Sequence, residues 1–224
     1  MKFKNIIFDF DGTLIDSRPG VITAFKRTIK KLTSKQIDEQ KIAQLIGAPL
    51  AQIISVLLDT DDRATIYRGS ELFKKYYSKE GIYQNTVYPG IGKMLAVFKN
   101  QSCQLFVVSN KIESFMKKIL EQHNLKKYFI LVRGTDGTDK QSKKAEHIKQ
   151  FISQYKLKKE ETVVIGDTKN DIIAAKTNSI YSIGVTWGYS LGPDLIEAKA
   201  DAICHTPLEL QEFILNYKNK KQCI

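Results

Sequence analysis

Hydrophobic positions along the chain follow two spacings. Short apolar, β-prone runs recur at "NIIFDF" (5–10), "CQLFVVSN" (103–110), "YFILVRG" (128–134), "ETVVIGD" (161–167) and "YSIGVTWG" (181–188). "ADAI" (200–203) adds a candidate edge strand. Between these runs, apolar residues fall at helical spacing in "IGKMLAVFKN", "IESFMKKILEQHNL", "KAEHIKQFISQYKL" and "NDIIAAKTN". Strands alternating with helices predict an α/β fold, a Rossmann-like parallel sheet with right-handed crossovers and helices on both faces.

One interval breaks the alternation. From Asp16 to Val87 the pattern is helical only, as in "SRPGVITAFKRTIKKL", "QKIAQLIG", "PLAQIISVLL" and "DRATIYRGSELFKKYYSKEG". A crossover of roughly 70 residues is far longer than one helix needs. A helical insert over residues 16–87 is therefore expected within an α/β core made of residues 1–15 and 88–224. Pro89 and Gly90 in "VYPGIGKML" punctuate the return to the core. The polar tail "NYKNKKQ" is expected to fray.

Composition adds limits more than it adds identity. With 224 residues, 42% of them hydrophobic, the chain can bury a sizeable core. It contains no apolar run of about 18 residues that would span a bilayer. The opening "MKFKNIIFDF" reaches acidic residues too soon for a secretory signal, so a cytoplasmic location is expected. Cys103, Cys204 and Cys223 lack paired spacing and read as reduced thiols, the first two as buried apolar filler. The net charge of +11 is spread along the chain rather than gathered with aromatics, so no nucleic-acid partner is expected. That field would also favour a small anionic substrate.

Chemistry concentrates at the carboxyl ends of the predicted strands, where parallel α/β sheets bind ligands. Asp9, Asp11, Gly12 and Thr13 follow the first run, Ser109 and Asn110 the second, and Gly166, Asp167 and Asp171 the fourth. Carboxylates from two strands meeting at one edge make a hard, oxygen-only site that suits Mg2+. Histidine and cysteine ligands are missing, which argues against zinc. Taken alone, "DG" reads as a turn and "GD" as a helix cap; only the ordered set is specific.

That set, "DFDGTL", "VVSN", a later lysine and "GDTKND", resembles the signature motifs of the haloacid dehalogenase-like phosphohydrolase superfamily. "DGTLIDS", "YPGI", "SNK", "GDTKNDIIAAK", "VTWGY" and "ADAI" are similar to its phosphoglycolate phosphatase-like branch, over nearly the whole chain. The insert then resembles that branch's mobile cap.

The resemblance implies a Mg2+-dependent phosphatase that hydrolyses a small phosphomonoester through an aspartyl-phosphate, with 2-phosphoglycolate as one candidate substrate. Asp9 would be the nucleophile and Asp11 the general acid and base. Asp9, Asp167 and Asp171, with Asp11 beside them, would form the metal site. Ser109, Asn110, Gly12 and Thr13 would face the phosphoryl oxygens, and a lysine would neutralise their charge. "DGTDKQSKKAEHI" offers Lys140, Lys143 and Lys144 for that role. Lys144 is favoured because Glu146 follows it at the family's spacing, although the family's usual proline is absent. Asp16, Gly47, Pro49 and Lys111 are candidates for substrate specificity, and Ser17 reads as a helix N-cap or a hinge residue. A monomer or homodimer with a small phosphorylated metabolite as partner is expected. A nucleotide 5'-phosphatase, a pyrophosphatase, a phosphomutase and a non-enzymatic phospho-acceptor or polyanion-binding module are the alternatives.

Overall fold

The computed structural model describes residues 1–138, 141–190 and 192–217. In chain order the elements are β1 (Asn5–Phe8), β2 (Ile15–Asp16), α1 (Arg18–Thr33), α2 (Glu39–Ala43), α3 (Leu50–Leu58) and α4 (Arg63–Lys79). Next come β3 (Thr86–Val87), α5 (Ile91–Asn100), β4 (Gln104–Ile112), α6 (Glu113–Gln122), β5 (Leu131–Thr135) and α7 (Lys144–Gln154). The chain closes with β6 (Thr162–Gly166), α8 (Lys169–Thr177), β7 (Tyr181–Val185), α9 (Gly192–Glu197), β8 (Ala202–Cys204) and α10 (Pro207–Asn216).

Six strands form one parallel sheet in the order β5-β4-β1-β6-β7-β8. β1 is short and wholly buried because it lies between β4 and β6 with helices on both faces, which is why its sequence is a near-continuous apolar run. Its side chains alternate between two cores. Ile6 and Phe8 join Leu105, Val107, Val163 and Ile165 on one face. Ile7 joins Phe106, Val108 and Val164 on the other, under Ile148 and Phe151 of α7 and Ala175 of α8.

Between β1 and β4 the chain leaves the sheet through β2 and comes back through β3, which pair antiparallel as a two-stranded ribbon. All of α1 to α4 lies between those two strands. The sequence pattern predicts no strand there, because two residues show no periodicity. The helices form as expected, with Asp62 capping α4 through Thr65 N–H at 2.8 Å and α3 starting behind Pro49. The "QKIAQLIG" stretch yields only the short α2, which gives way to a loop with Gly47 at φ +102°. Phe25, Phe73 and Tyr77 stack in series inside this insert, with centroids 4.3 and 5.4 Å apart.

The strand edges otherwise differ in one instructive place. The apolar run predicts a strand over 103–110, whereas β4 runs on to Ile112, with a register irregularity between Val108 and Ile112. Ser109 and Asn110 therefore lie within an irregular stretch of β4, not beyond its end. Cys103 and Cys204 are buried thiols, as expected of apolar filler. Cys223 and much of the polar tail lie outside the described residues, as does Lys140.

Candidate active site

Asp9 leaves the central strand at its carboxyl end, its backbone N–H donating to Ile165 O at 2.8 Å. The next residues curl back at once. Leu14 and Ile15 N–H both donate to Phe10 O, and Gly12 N–H donates to Ile15 O at 2.9 Å. Gly12 takes φ +82°, and a Cβ there would lie 2.2 Å from Asp167 Oδ2. Close approach on the other side comes from Gly188, where a Cβ would fall 2.3 Å from Gly12 O and 2.5 Å from Asp167 Oδ2. Glycines here let the loops after β1, β6 and β7 converge on one carboxylate.

Asp167 follows β6 and is fully buried. It accepts hydrogen bonds from the Thr13 hydroxyl at 3.0 Å and from Tyr189 N–H at 2.8 Å. Asp171 lies in the first turn of α8. One of its oxygens closes a capping box with Thr168, accepting from that residue's N–H at 3.1 Å and hydroxyl at 2.8 Å. Its other oxygen faces the site and accepts from Lys144 Nζ at 2.6 Å. Lys144, the first residue of α7, also lies 2.9 Å from Asp9 Oδ1 and is only 2% exposed. Lys143 is exposed, so the helix start selects Lys144 as the lysine that enters the site.

Carboxylate oxygens of Asp9, Asp167 and Asp171 lie within 4.8 Å of one another; Asp9 Oδ1 meets only the Lys144 ammonium, and Oδ2 has no partner among the described residues. Burial, then the charge of Asp171, pushes Asp9 up to about 8 against the pull of Lys144. Burial and Asp171 likewise push Asp167 up to about 7. For Lys144 burial opposes the charge, but Asp171 and Asp9 outweigh it and hold the ammonium above its usual value. Three crowded, buried carboxylates are an oxygen-only set of the kind a hard divalent cation takes as ligands.

Asp11 stands apart from this cluster. Its carboxylate receives Lys111 Nζ at 3.0 and 3.1 Å, and the Ser17 hydroxyl donates to Oδ1. Lys111 is buried under Tyr77 and Phe10, with Nζ 4.7 and 5.9 Å from the ring centroids. Of the four residues expected at the metal, the structure brings the carboxylates of Asp9, Asp167 and Asp171 together, whereas the Asp11 carboxylate is turned to Lys111 and Ser17. Of the residues expected to face phosphate, Gly12 commits its N–H to Ile15 and Thr13 its hydroxyl to Asp167. Both residues shape the loop.

Ser109 is buried beside Asp11, and its hydroxyl accepts from Lys111 N–H at 3.3 Å. Asn110 ties three segments together. Its amide donates to Gly47 O at 2.8 Å, its side-chain oxygen accepts from the Ser142 hydroxyl at 2.8 Å, and its carbonyl accepts from the Thr135 hydroxyl. Above Ser109 and Lys111 lies a cavity of about 50 Å³, walled by Phe25, Leu50, Ile53 and Phe73 from the insert. Gly47 lines it, whereas Pro49 does not; its fixed φ starts α3 instead. Asp16 does not line it either, being engaged at the ribbon by Tyr189 and by Arg18 N–H. Tyr77 closes the far wall with a buried hydroxyl that has no hydrogen-bond partner among the described residues.

Three contributors escape the sequence pattern. Trp187 Nε1 donates to Thr13 O at 3.0 Å, so this ring braces the loop after β1. Tyr77 and Tyr189 reach the site from elements remote in sequence. Only the position of "WGY" after a predicted strand end marks Tyr189 in advance.

The chain belongs to the haloacid dehalogenase-like hydrolase family, whose model matches residues 6–185. Within that family it is similar to phosphoglycolate phosphatases. The enzyme of that name from Vibrio parahaemolyticus is 30% identical over 219 residues, covering 94% of this chain and 96% of the relative. A 5'-nucleotidase from Pseudomonas aeruginosa is 26% identical, covering 87% of this chain and 88% of its own. The crystal structure of a predicted phosphatase from Clostridium acetobutylicum superposes with a TM-score of 0.90 at 30% identity, covering 97% of this chain and all of that one.

Proposed function

We propose that this protein is a Mg2+-dependent phosphatase that hydrolyses a compact phosphomonoester through an aspartyl-phosphate on Asp9. The observation that carries this reading is a buried Asp9 whose Oδ1 is paired with Lys144 and whose Oδ2 has no partner among the described residues, beside two further carboxylates. Asp9, Asp167 and Asp171 would hold the metal. Bound Mg2+ supplies the positive charge that lets these carboxylates ionise together and that offsets the charge of the phosphoryl group.

In the first half-reaction an Asp9 oxygen forms a bond to phosphorus while the ester P–O bond breaks. The leaving oxygen takes a proton from Asp11. Asp11 then accepts a proton from water, which attacks phosphorus and breaks the acyl-phosphate bond, restoring the Asp9 carboxylate and releasing phosphate. Lys111 and Ser17 hold the Asp11 carboxyl in place for both transfers. Lys144 stays charged throughout and stabilises negative charge near Asp9. Ser109, with the backbone N–H of Asn110, is placed to meet phosphoryl oxygens.

Residues 16–87 are read as a cap over a core of residues 1–15 and 88–224, with the ribbon β2–β3 as the connection. The cavity under that cap favours a leaving group of a few heavy atoms, since pockets for larger ligands run to several hundred Å³. That supports a small ester such as 2-phosphoglycolate over a nucleoside monophosphate, with Lys111 the cation nearest the leaving group. A small metabolite as the only partner, no nucleic acid, a monomer or homodimer and a cytoplasmic location complete the reading. Among the described residues no helix is long and apolar enough to cross a membrane.

The test is a screen of phosphomonoesters with and without Mg2+, reading phosphate release. Steady release beyond one equivalent, abolished by EDTA, is expected. Asp9→Asn should fall at least about 1,000-fold, as losing a covalent nucleophile does. Wild-type turnover in that variant, or release that stops at one equivalent, would overturn the assignment.

A further inference from the structure

We propose that Tyr189 is a positioning residue for proton transfer, fixing Asp11 through Ser17 and so coupling the acid–base group to the first cap connection. This rests on the reading of Asp11 as general acid and base. Tyr189 comes from the loop after β7, 172 residues away from Ser17. Its hydroxyl accepts from Ser17 N–H at 2.9 Å and donates to Asp16 Oδ1 at 3.2 Å. Its ring stacks under the Arg18 guanidinium, 4.6 Å from the centroid. One side chain thus holds three consecutive residues at the point where the chain leaves the core.

Proton bookkeeping shows why this matters to Asp11. A phenol has one proton, and Tyr189 directs it to Asp16. The Ser17 N–H is taken by the phenol oxygen, so the Ser17 hydroxyl, 3.4 Å from that oxygen, is left to donate its single proton to Asp11 Oδ1. Ser17 is completely buried, and its hydroxyl caps no helix N–H, so Asp11 is the acceptor the fold provides. The expected N-cap role of Ser17 is replaced by this bond. Asp11 is then oriented from two sides, by Lys111 on both oxygens and by Ser17 on one. Lys111 is buried in the core, whereas Ser17 lies at the start of the cap connection, where Tyr189 anchors it. The same tyrosine's backbone N–H holds Asp167, so one residue links the acidic cluster, the connection and the proton-transfer group.

The experiment compares two esters of nearly equal size. Acetyl phosphate expels acetate, which leaves without a proton; ethyl phosphate must be protonated as it departs. Values of kcat/KM report the steps up to loss of that group. Tyr189→Phe should lower kcat/KM for ethyl phosphate by about 10- to 100-fold, the size of a lost or misplaced general acid, with acetyl phosphate changing less than about 3-fold. Ser17→Ala should show the same selectivity, and the double variant should be no worse than the poorer single one, because both act through Asp11. Melting temperatures identify any variant that has simply lost its fold, and Ser17→Ala then carries the test. Equal losses on the two esters, no loss on ethyl phosphate, or additive losses would overturn the proposal. Asp11→Asn run alongside separates the two levels. If it fails to discriminate between the esters, the acid–base reading itself is wrong; if it discriminates and Tyr189→Phe does not, only the role of Tyr189 falls.

Discussion

Asp9, Asp167 and Asp171 illustrate how three acids in a small volume create a demand for a cation. Burial raises Asp9 to about 8 and Asp167 to about 7, with Asp171 adding to both. Unfolded, these carboxylates ionise near their ordinary value, about 4. Between that value and the raised ones the native state retains protons that the unfolded chain has released, so the metal-free protein loses stability as pH rises through this window. Below about pH 4 both states are protonated and the penalty vanishes. On the proposed reading Mg2+ would bind the ionised cluster, so its stabilisation should grow with pH. At a free concentration 100 times its dissociation constant it should contribute about 2.7 kcal/mol, or roughly 5 to 10 °C in a chain of this length. Calorimetry with Mg2+ or EDTA checks this: a large increment at about pH 8 and a small one near pH 5 are expected. Equal increments at both would remove the cluster as the metal site.

Elements differ in how openly the sequence declares them. β1, β4 and β6 are legible because interior parallel strands are apolar on both faces, and the acidic motifs that end them are legible because charge follows apolar runs so abruptly. The ribbon β2–β3 is hidden because each strand has two residues. The extension of β4 past Asn110 is hidden because the apolar pattern has ended there while the backbone pairs again at Ile112. Lys143 and Lys144 differ only in which one the start of α7 points inward, a property of helix rotation that adjacent lysines conceal. The Ser17–Tyr189 and Lys111–Asp11 bonds span 172 and 100 residues, beyond any local spacing. Packing of α1 supplies a prediction at this scale. Gly20 lies against the turn at Gly81–Tyr83, and a Cβ there would fall 2.0 Å from Gly81 O. Gly92 in α5 has nothing within 4 Å of its hypothetical Cβ. Gly20→Ala should destabilise by about 2 kcal/mol or more through overpacking, despite alanine's better helix propensity. Gly92→Ala should stabilise by roughly 0.5 to 1 kcal/mol from that propensity alone. Denaturant midpoints with unchanged m-values decide the pair; a stabilising Gly20→Ala would mean that α1 and the turn do not meet as described.

At the scale of the whole molecule, the insert and the core enclose the chemistry between them. Asp11, Ser109 and Lys111 form the floor of the cavity and the insert's aromatic and aliphatic side chains its roof. Asn110 pins the two together through Gly47 O. Phosphate-monoester hydrolysis asks for on the order of 20 kcal/mol or more of barrier lowering, and fixed charges act most strongly where bulk water is excluded. On the proposed reading a cap closed over the site would supply that exclusion and also set the size limit. The +11 charge spread over the surface draws anions of any size toward the protein, so discrimination has to come from the enclosed space rather than from the field. Compact esters should therefore exceed nucleoside monophosphates in kcat/KM by at least about 100-fold, the scale of steric discrimination by a fitted pocket. Ile46, a buried residue of the cavity wall, tests the cause. Ile46→Ala removes three carbons from the wall beside Gly47, and the ratio should shrink by about 10-fold through gains on the larger esters, a shift of about 1.4 kcal/mol in relative barriers. Acetyl phosphate, small enough for either cavity, is the internal control and should change little. A nucleoside monophosphate handled as well as a compact ester by the unaltered protein, or a long nucleic acid dephosphorylated at a matching rate, would mean that the cap does not close over the reacting ester, while leaving the carboxylate chemistry of Asp9 and Asp11 intact.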